Sequence, residues 1–199
     1  VLPGDELFRA TTGGMGLTGV IIDAEVTMLP VETSSVIVDT DRVADLDTLM
    51  AMMIEGDAEY RYSVAWVDAG ARRGSLGRGV LTRGDHARRD QVDEPTLAFA
   101  PSERLSIPGH VPGGLLRAST ITAFNEAWYL KAPKRRRGEA QSLSAFFHPL
   151  DAVRDWNRLY GPDGFLQYQF AVPDSEADVV RGALEALRAI GATSFLRDR

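Results

Sequence analysis

Three glycines followed by an alternating segment constrain the fold of this chain more than any other feature. The glycines are Gly14, Gly16 and Gly19, and an acidic residue, Asp39, follows the last of them by twenty positions. This matches the letters of a dinucleotide-binding fingerprint, which needs a strand before the glycines and a helix after them. Here the segment before the glycines has helical character, and the segment after them alternates as a strand does until Pro30. The order of the elements therefore excludes a Rossmann site.

A helix, a glycine turn and a strand over residues 20–28 are what the pattern predicts instead. One interpretation is a tight connection whose backbone needs positive φ angles, which glycine adopts without strain. The other is that backbone without side chains lets a large ligand approach closely. The glycines alone leave both interpretations open.

Composition removes several classes of function. The chain has 199 residues and a net charge of −6, so it lacks the basic excess that general nucleic-acid binding requires. Cysteine is absent, and the three histidines have no metal-binding spacing. No apolar run reaches transmembrane length, and no signal peptide is visible. The sequence begins with Val1 rather than methionine and breaks off in an incipient strand, which we interpret as an internal piece of a longer protein.

Periodicity along the remaining chain predicts an α+β fold with a mostly antiparallel sheet. We expect one face of this sheet to carry a pocket and the helices to pack on the other face. The predicted helices cover 41–55, 119–131 and 175–190, with a short one over 151–159. The predicted strands cover 34–40, 60–70, 80–84, a segment ending at Phe147 or His148, and 165–173. Residues 84–114 contain four prolines and little periodicity, which is typical of a lid or a disordered binding segment.

Two polar patterns are candidate binding features. Gln167 and Gln169 project from one face of the last predicted strand beside Phe165. They are either part of a solvent-facing surface or ligands for sugar hydroxyls, since an amide both donates and accepts hydrogen bonds. The run KRRR at 134–137 is predicted to be a solvated basic loop, with contact to an anionic head group or lipid phosphate as the alternative.

Residues 146–173, FFHPLDAVRDWNRLYGPDGFLQYQFAVP, closely resemble the decaprenylphosphoryl-β-D-ribose 2′-oxidase family of FAD-linked oxidases. The glycine segment ATTGGMGLTGVII and the tryptophan strand YRYSVAWVDA resemble the same family. The histidine-proline and Gln-x-Gln segment is specific to it, whereas the glycine segment is shared across the wider vanillyl-alcohol-oxidase-like class. The resemblance runs from Leu7 to Leu196 and is weakest between about 84 and 140.

The resemblance implies roles for two sets of residues. FAD would lie against the backbone of the cofactor-binding set, which comprises Gly14, Gly16, Gly19 and Ile21. The substrate would contact the second set, which comprises Trp66, Phe147, His148, Gln167 and Gln169. Phe147 stands where mycobacterial members carry tyrosine, so the ring is kept without the hydroxyl. For His148, hydrogen bonding to a hydroxyl or phosphate and a purely structural role both stay open.

The implied reaction is oxidation of the 2′-hydroxyl of a lipid-phosphate-linked ribose to a ketone, with hydride passing to the flavin. A separate reductase would complete the epimerisation that supplies arabinan precursors, and the protein would be cytoplasmic or peripheral at the cell envelope. Residues 1–31 would end an FAD-binding domain, and 32–199 would form a truncated substrate domain. The resemblance assigns no catalytic residue and no metal here, and we expect weak or no flavin binding and no turnover from the chain alone.

Two other functions stay open at this point. One is an aldonolactone oxidase, or another sugar-alcohol oxidase, of the same flavin class. The other is a non-catalytic module that binds a sugar phosphate or a protein partner.

Overall fold

The computed structural model describes residues 2–71, 74–101, 105–108, 118–164 and 166–191. The chain divides into two compact units, Val1–Pro30 and Val31–Arg199, and each is described by itself. The assignment of one unit to a cofactor domain and the other to a substrate domain stays a prediction.

The first unit contains helix α1, Glu6–Thr12, followed by a glycine turn and a segment without regular secondary structure. The helix was predicted, but the strand over 20–28 is wrong, because no ladder forms there among the described residues. Ile22 is 95% exposed and Met28 is also exposed. Alternation makes a segment able to pair, but a β-strand also needs a hydrogen-bonding partner.

A four-stranded antiparallel sheet organises the second unit and confirms the α+β fold class. Its strands are β1 (Ser35–Val43), β2 (Tyr62–Val67), β3 (Gly79–His86) and β5 (Arg135–Ser142), in the order β2-β3-β1-β5. The predicted hairpin of β2 and β3 is confirmed, with Trp66 opposite Val80 and Tyr62 opposite Gly84. Two short strands, β4 (Leu105–Ser106) and β6 (Val153–Arg154), pair in parallel as a separate sheet.

One face of the four-stranded sheet packs against helices α2 (Leu46–Gly56) and α5 (Asp178–Ala189). Helix α2 starts later than predicted, because 41–43 continue β1 and the Asp45 side chain accepts a hydrogen bond from the Thr48 amide. The core on this face consists of eight buried apolar residues: Val43, Leu46, Leu49, Met53, Ala65, Ala69, Leu81 and Leu184.

Helix α3 (Ala118–Lys131) approaches the sheet from the other face. Its Asn125 side chain donates to Asp68, and its Glu126 carboxylate pairs with Arg78. Asp68 and Arg78 extend β2 and β3 on the face of Trp66 and Val80, since alternate strand residues share a face. The expectation that this helix joins the other two on one face is therefore wrong, while its predicted extent is correct.

The run KRRR is also not a loop. Residues 135–137 begin β5, which pairs with β1 and has Arg136 opposite Thr40. The Arg137 guanidinium bonds Asp41 at 2.8 Å and lies 3.4 Å from Asp39. The two strand carboxylates therefore hold this arginine on the same face as α2.

Two further strand predictions near the carboxyl end are wrong. The apolar run expected as a strand up to Phe147 is helix α4 (Leu143–Phe147), because the Ser142 hydroxyl accepts from the Ala145 amide and caps it. Residues 166–173 form no regular element and pair with no described strand. The short helix expected over 151–159 is replaced by 3₁₀ turns at Pro149–Ala152 and Trp156–Asp163 around β6. The strand expected to start at 193 lies outside the described residues.

Gly84 offers a direct test of the β1–β3 packing. A Cβ built there would lie 2.7 Å from the Ile37 carbonyl oxygen and 2.8 Å from Val36 Cγ1, and backbone cannot move aside cheaply. We expect Gly84→Ala to lower the free energy of unfolding by about 1–3 kcal/mol in urea denaturation. Gly182→Ala is the matched control, because that glycine lies within α5 with open space beside it. It should raise stability by roughly 0.5–1 kcal/mol, and equal effects of the two variants would contradict the packing described.

Candidate functional site

The face of the sheet opposite α2 carries an aromatic row from β2. Tyr62 and Trp66 lie four residues apart on this strand and therefore share a face. The Trp66 ring is only 6% exposed, and its indole N–H has no hydrogen-bond partner in the described part of the chain. Buried polar groups are normally satisfied, so an unpaired donor at this position is unusual.

Tyr62 is held by a histidine that the sequence patterns did not single out. The Tyr62 hydroxyl lies 3.0 Å from His86 Nε2, and the two rings meet edge to face at 5.4 Å. His86 is the last residue of β3, opposite Val36 of β1, which gives it the same face as Tyr62. Only the strand register reveals this pairing, because 24 residues separate the two in the sequence.

Burial, more than any neighbouring charge, lowers the pKa of His86 below its ordinary value. The positive charge of Arg61 acts in the same direction, and the negative charge of Asp85 opposes both. The neutral imidazole is thereby favoured, and its Nδ1 is buried without a hydrogen-bond partner among the described residues. With Nδ1 protonated, Nε2 is free to accept a hydrogen bond from the Tyr62 hydroxyl.

Phe147 and His148 lie at the end of α4, beside Tyr62. The ring centroids of Phe147 and Tyr62 are 4.8 Å apart and perpendicular, and Phe146 packs behind them in the core. Phe147 is 36% exposed, and the exposed His148 lies 6.5 Å from it between ring centroids. The structure thus joins Phe147 and His148 to the aromatic row through Tyr62, although no contact with Trp66 is seen.

An ion network fixes α3 over the Trp66 end of this face. Asp68 is buried and receives hydrogen bonds from Arg78 and from the Asn125 amide at 2.9 Å each. Arg78 also pairs with Glu126, and its guanidinium lies 4.6 Å from the centroid of the Tyr129 ring. These contacts place polar groups next to Trp66 and satisfy most of them internally.

Gln167 and Gln169 lie in the exposed, unpaired segment 166–173. The Tyr168 and Phe170 rings are 6.1 Å apart, which agrees with the predicted alternation of aromatic and amide sides. Tyr168 is 89% exposed. The structure does not bring either glutamine to the aromatic row.

The glycine bend of the first unit is formed by local backbone requirements. A Cβ at Gly14 would overlap the Ala10 carbonyl oxygen, while Gly16 and Gly19 have φ angles of +80° and +138°. Met15 adopts φ +52° between them, and Ile21 is exposed. The conformational interpretation of the glycines is therefore supported, and the exposed backbone is compatible with the ligand interpretation.

Two further observations limit the site. Within the described ranges, no group of three acidic or histidine side chains is arranged to hold a metal ion, and no helix is long and apolar enough to cross a membrane. A cavity of about 380 Å³ lies elsewhere, among Pro101, Asp151 and residues 153–156, and none of the predicted site residues lines it.

This face offers ring surface and polar atoms at the Tyr62 end. Phe147 is exposed and the Tyr62–His86 pair is half-buried, whereas Trp66 is buried. No described side chain here stands out as a general base or nucleophile.

Comparison with known proteins gives the relationship. The chain is 39% identical to the decaprenylphosphoryl-beta-D-ribose oxidase of Mycolicibacterium smegmatis over 98% of its own length. The similarity to this oxidase therefore covers nearly all of this chain. The resemblance carried by the glycine, tryptophan and histidine-proline segments is thereby confirmed.

A second relative is the Streptomyces coelicolor protein called "Uncharacterized protein in mprA 5'region", which is 34% identical over 89% of the chain. No family model matches. The chain spans 43% of the length of the oxidase and 51% of the Streptomyces protein, about half of each relative.

The His86 environment predicts a pH effect on stability. Because the folded-state pKa of His86 lies below its unfolded value, the unfolded chain takes up the proton first as the pH falls. We expect this residue's contribution to be complete above about pH 6.5 and to decline below it. In urea denaturation between pH 8 and pH 5, His86→Gln should flatten the decline relative to the parent. His148→Gln, which removes an exposed imidazole, is the control, and equal flattening in both variants would contradict the assignment.

Proposed function

We propose that this chain provides the substrate-binding sheet and part of the cofactor surface of an FAD-dependent oxidase that acts on a lipid-phosphate-linked ribose. The main support is the similarity to decaprenylphosphoryl-beta-D-ribose oxidase, which extends over 98% of the chain. The exposed aromatic and amide groups agree with a polar sugar as substrate. The product would be the 2-keto sugar, which a separate reductase would convert further.

The glycine bend fits close approach by a flat cofactor. Gly16 and Gly19 present backbone without side chains, and the space beside each is open. In this proposal Gly14 shapes the bend, Gly16 and Gly19 leave the backbone accessible, and the Ile21 backbone contacts the isoalloxazine. Bound FAD would supply a two-electron acceptor for the hydride that leaves C2 of the ribose while the 2′-hydroxyl loses its proton.

The second unit would bind and orient the sugar. Trp66 and Phe147 would provide the apolar walls, and Tyr62 would keep the Phe147 ring in place through their edge contact. Gln167 and Gln169 would exchange hydrogen bonds with ribose hydroxyls once segment 166–173 closes over the ligand, and His148 would contact a hydroxyl or the phosphate. Fixing the C2–H bond relative to the acceptor is the rate contribution expected from such residues.

A chimera tests the proposal in the context of a complete relative. The matching 43% of the Mycolicibacterium smegmatis oxidase would be replaced by this chain, and the chain alone and the parent oxidase would be purified in parallel. We expect a yellow chimera whose flavin absorbance bleaches without oxygen on addition of decaprenylphosphoryl-ribose, and a colourless isolated chain. Bleaching by a free aldonolactone alone would favour the second flavin enzyme class. A folded but colourless chimera would contradict the proposal and favour a non-catalytic module.

The two glutamines give a finer prediction in the same chimera. Each uncharged hydrogen bond to substrate contributes about 1 kcal/mol, so Gln167→Ala and Gln169→Ala should each reduce kcat/KM roughly fivefold without loss of flavin. Gln141→Ala is the control, because its amide bonds Glu139 on strand β5. Stopped-flow measurement of flavin reduction gives the values, and unchanged kinetics in both glutamine variants would remove these residues from the site.

A further inference from the structure

Helix α3 has an exposed aromatic stripe next to its buried one. Ile121 and Asn125 are buried against the sheet, whereas Phe124 and Trp128, also four residues apart, point outward and stack at 5.9 Å. Trp128 is 39% exposed. A large part of the Trp128 ring therefore faces solvent, while Ile121 and Asn125 anchor the helix.

Basic side chains continue this stripe. The Lys131 ammonium lies 5.6 Å from the Trp128 ring centroid, and the exposed Lys134 follows three residues later. We call Phe124, Trp128, Lys131 and Lys134 the α3 patch. Its positive charge contrasts with the net charge of −6 of the whole chain.

The α3 patch lies on fixed backbone. The Arg42 guanidinium donates to the Leu130 carbonyl at 3.1 Å, and the Arg42 amide donates to the Lys134 carbonyl at 3.2 Å. Strand β1 thereby holds both the end of the helix and the start of the basic run, so the groups are presented together without the cost of ordering a loop.

Nearby acidic groups do not cancel this charge. Glu126, on the same helix, is paired with Arg78, and Glu139, on β5, is paired with Arg136. An amphipathic aromatic ring flanked by lysines has the composition of a protein surface at a bilayer interface, where the ring enters the head-group region and the cations contact lipid phosphates.

We propose that the α3 patch binds the surface of an anionic lipid bilayer. This inference rests on the patch itself and is independent of the oxidase proposal, because no flavin, ribose or catalytic step enters it. Trp128 and Phe124 enter the head-group layer, and Lys131 and Lys134 face the phosphates.

Vesicle co-sedimentation of the full 199-residue chain tests the inference. Vesicles of phosphatidylglycerol and phosphatidylcholine in equal parts are compared with phosphatidylcholine alone, at low and high salt. We expect binding to the anionic vesicles only, weakened by salt because surface charges are screened. Each basic residue near such a surface contributes about 1 kcal/mol, so Lys131→Glu/Lys134→Glu should reduce the partition coefficient at least tenfold.

Two further variants separate the patch from general charge and from folding. Arg88→Glu/Arg89→Glu changes two exposed arginines that follow the carboxyl end of β3, outside the α3 patch. This variant should bind within about twofold of the parent. Trp128→Ala keeps every charge and should reduce binding about tenfold. If the double glutamate variant loses its circular dichroism signal, the corresponding double glutamine variant replaces it. No binding by the parent, equal loss in the Arg88/Arg89 control, or binding of inorganic phosphate without vesicle binding would overturn the inference.

Discussion

The antiparallel pairing of β1 with β3 is the interaction on which the second unit depends. It runs from Val36 opposite His86 to Val43 opposite Gly79 without a break in register. Because side chains alternate, this register decides which residues meet α2 and which meet the aromatic row. A slip by one residue would move Val36 and Val38 out of their apolar surroundings and expose the wrong set. The candidate site is therefore a consequence of this pairing.

Charged residues on the α2 face make such a slip costly. Asp41 is buried and pairs with Arg137 at 2.8 Å and with Arg83 at 3.5 Å. Arg83 also donates to the Met52 carbonyl, and Gly56 leaves the space that its guanidinium occupies. Breaking such a buried pair leaves a charge unpaired in a low-dielectric region. The hydrogen bond from Tyr60 to Asp39, which raises the pKa of Tyr60, extends the same network.

Periodicity predicted the elements whose environment is local. Helices α1, α3 and α5 and the β2–β3 hairpin follow from caps, turns and alternation within a few residues. Periodicity failed where the pairing of strands decides the structure. Residues 20–28 and 166–173 alternate as strands do but have no described partner. The charged run at 135–137, in contrast, pairs with β1 because Asp39 and Asp41 hold Arg137. In the candidate site, the resemblance predicted Trp66, Phe147 and His148. Tyr62 and His86 were not, because only the strand register brings them together.

In the proposed function, the face bearing Tyr62, Trp66 and Phe147 binds the sugar. Chemical-shift mapping of the isotope-labelled chain with a short-chain phosphoryl-ribose measures this most directly, since it detects weak binding without turnover. The account predicts shifts at the Trp66 indole N–H and at the Gln167 and Gln169 side-chain amides, with none at Leu49 or Leu184 in the opposite core. Shifts centred on that core, or none at any of these groups at saturating ligand, would contradict it.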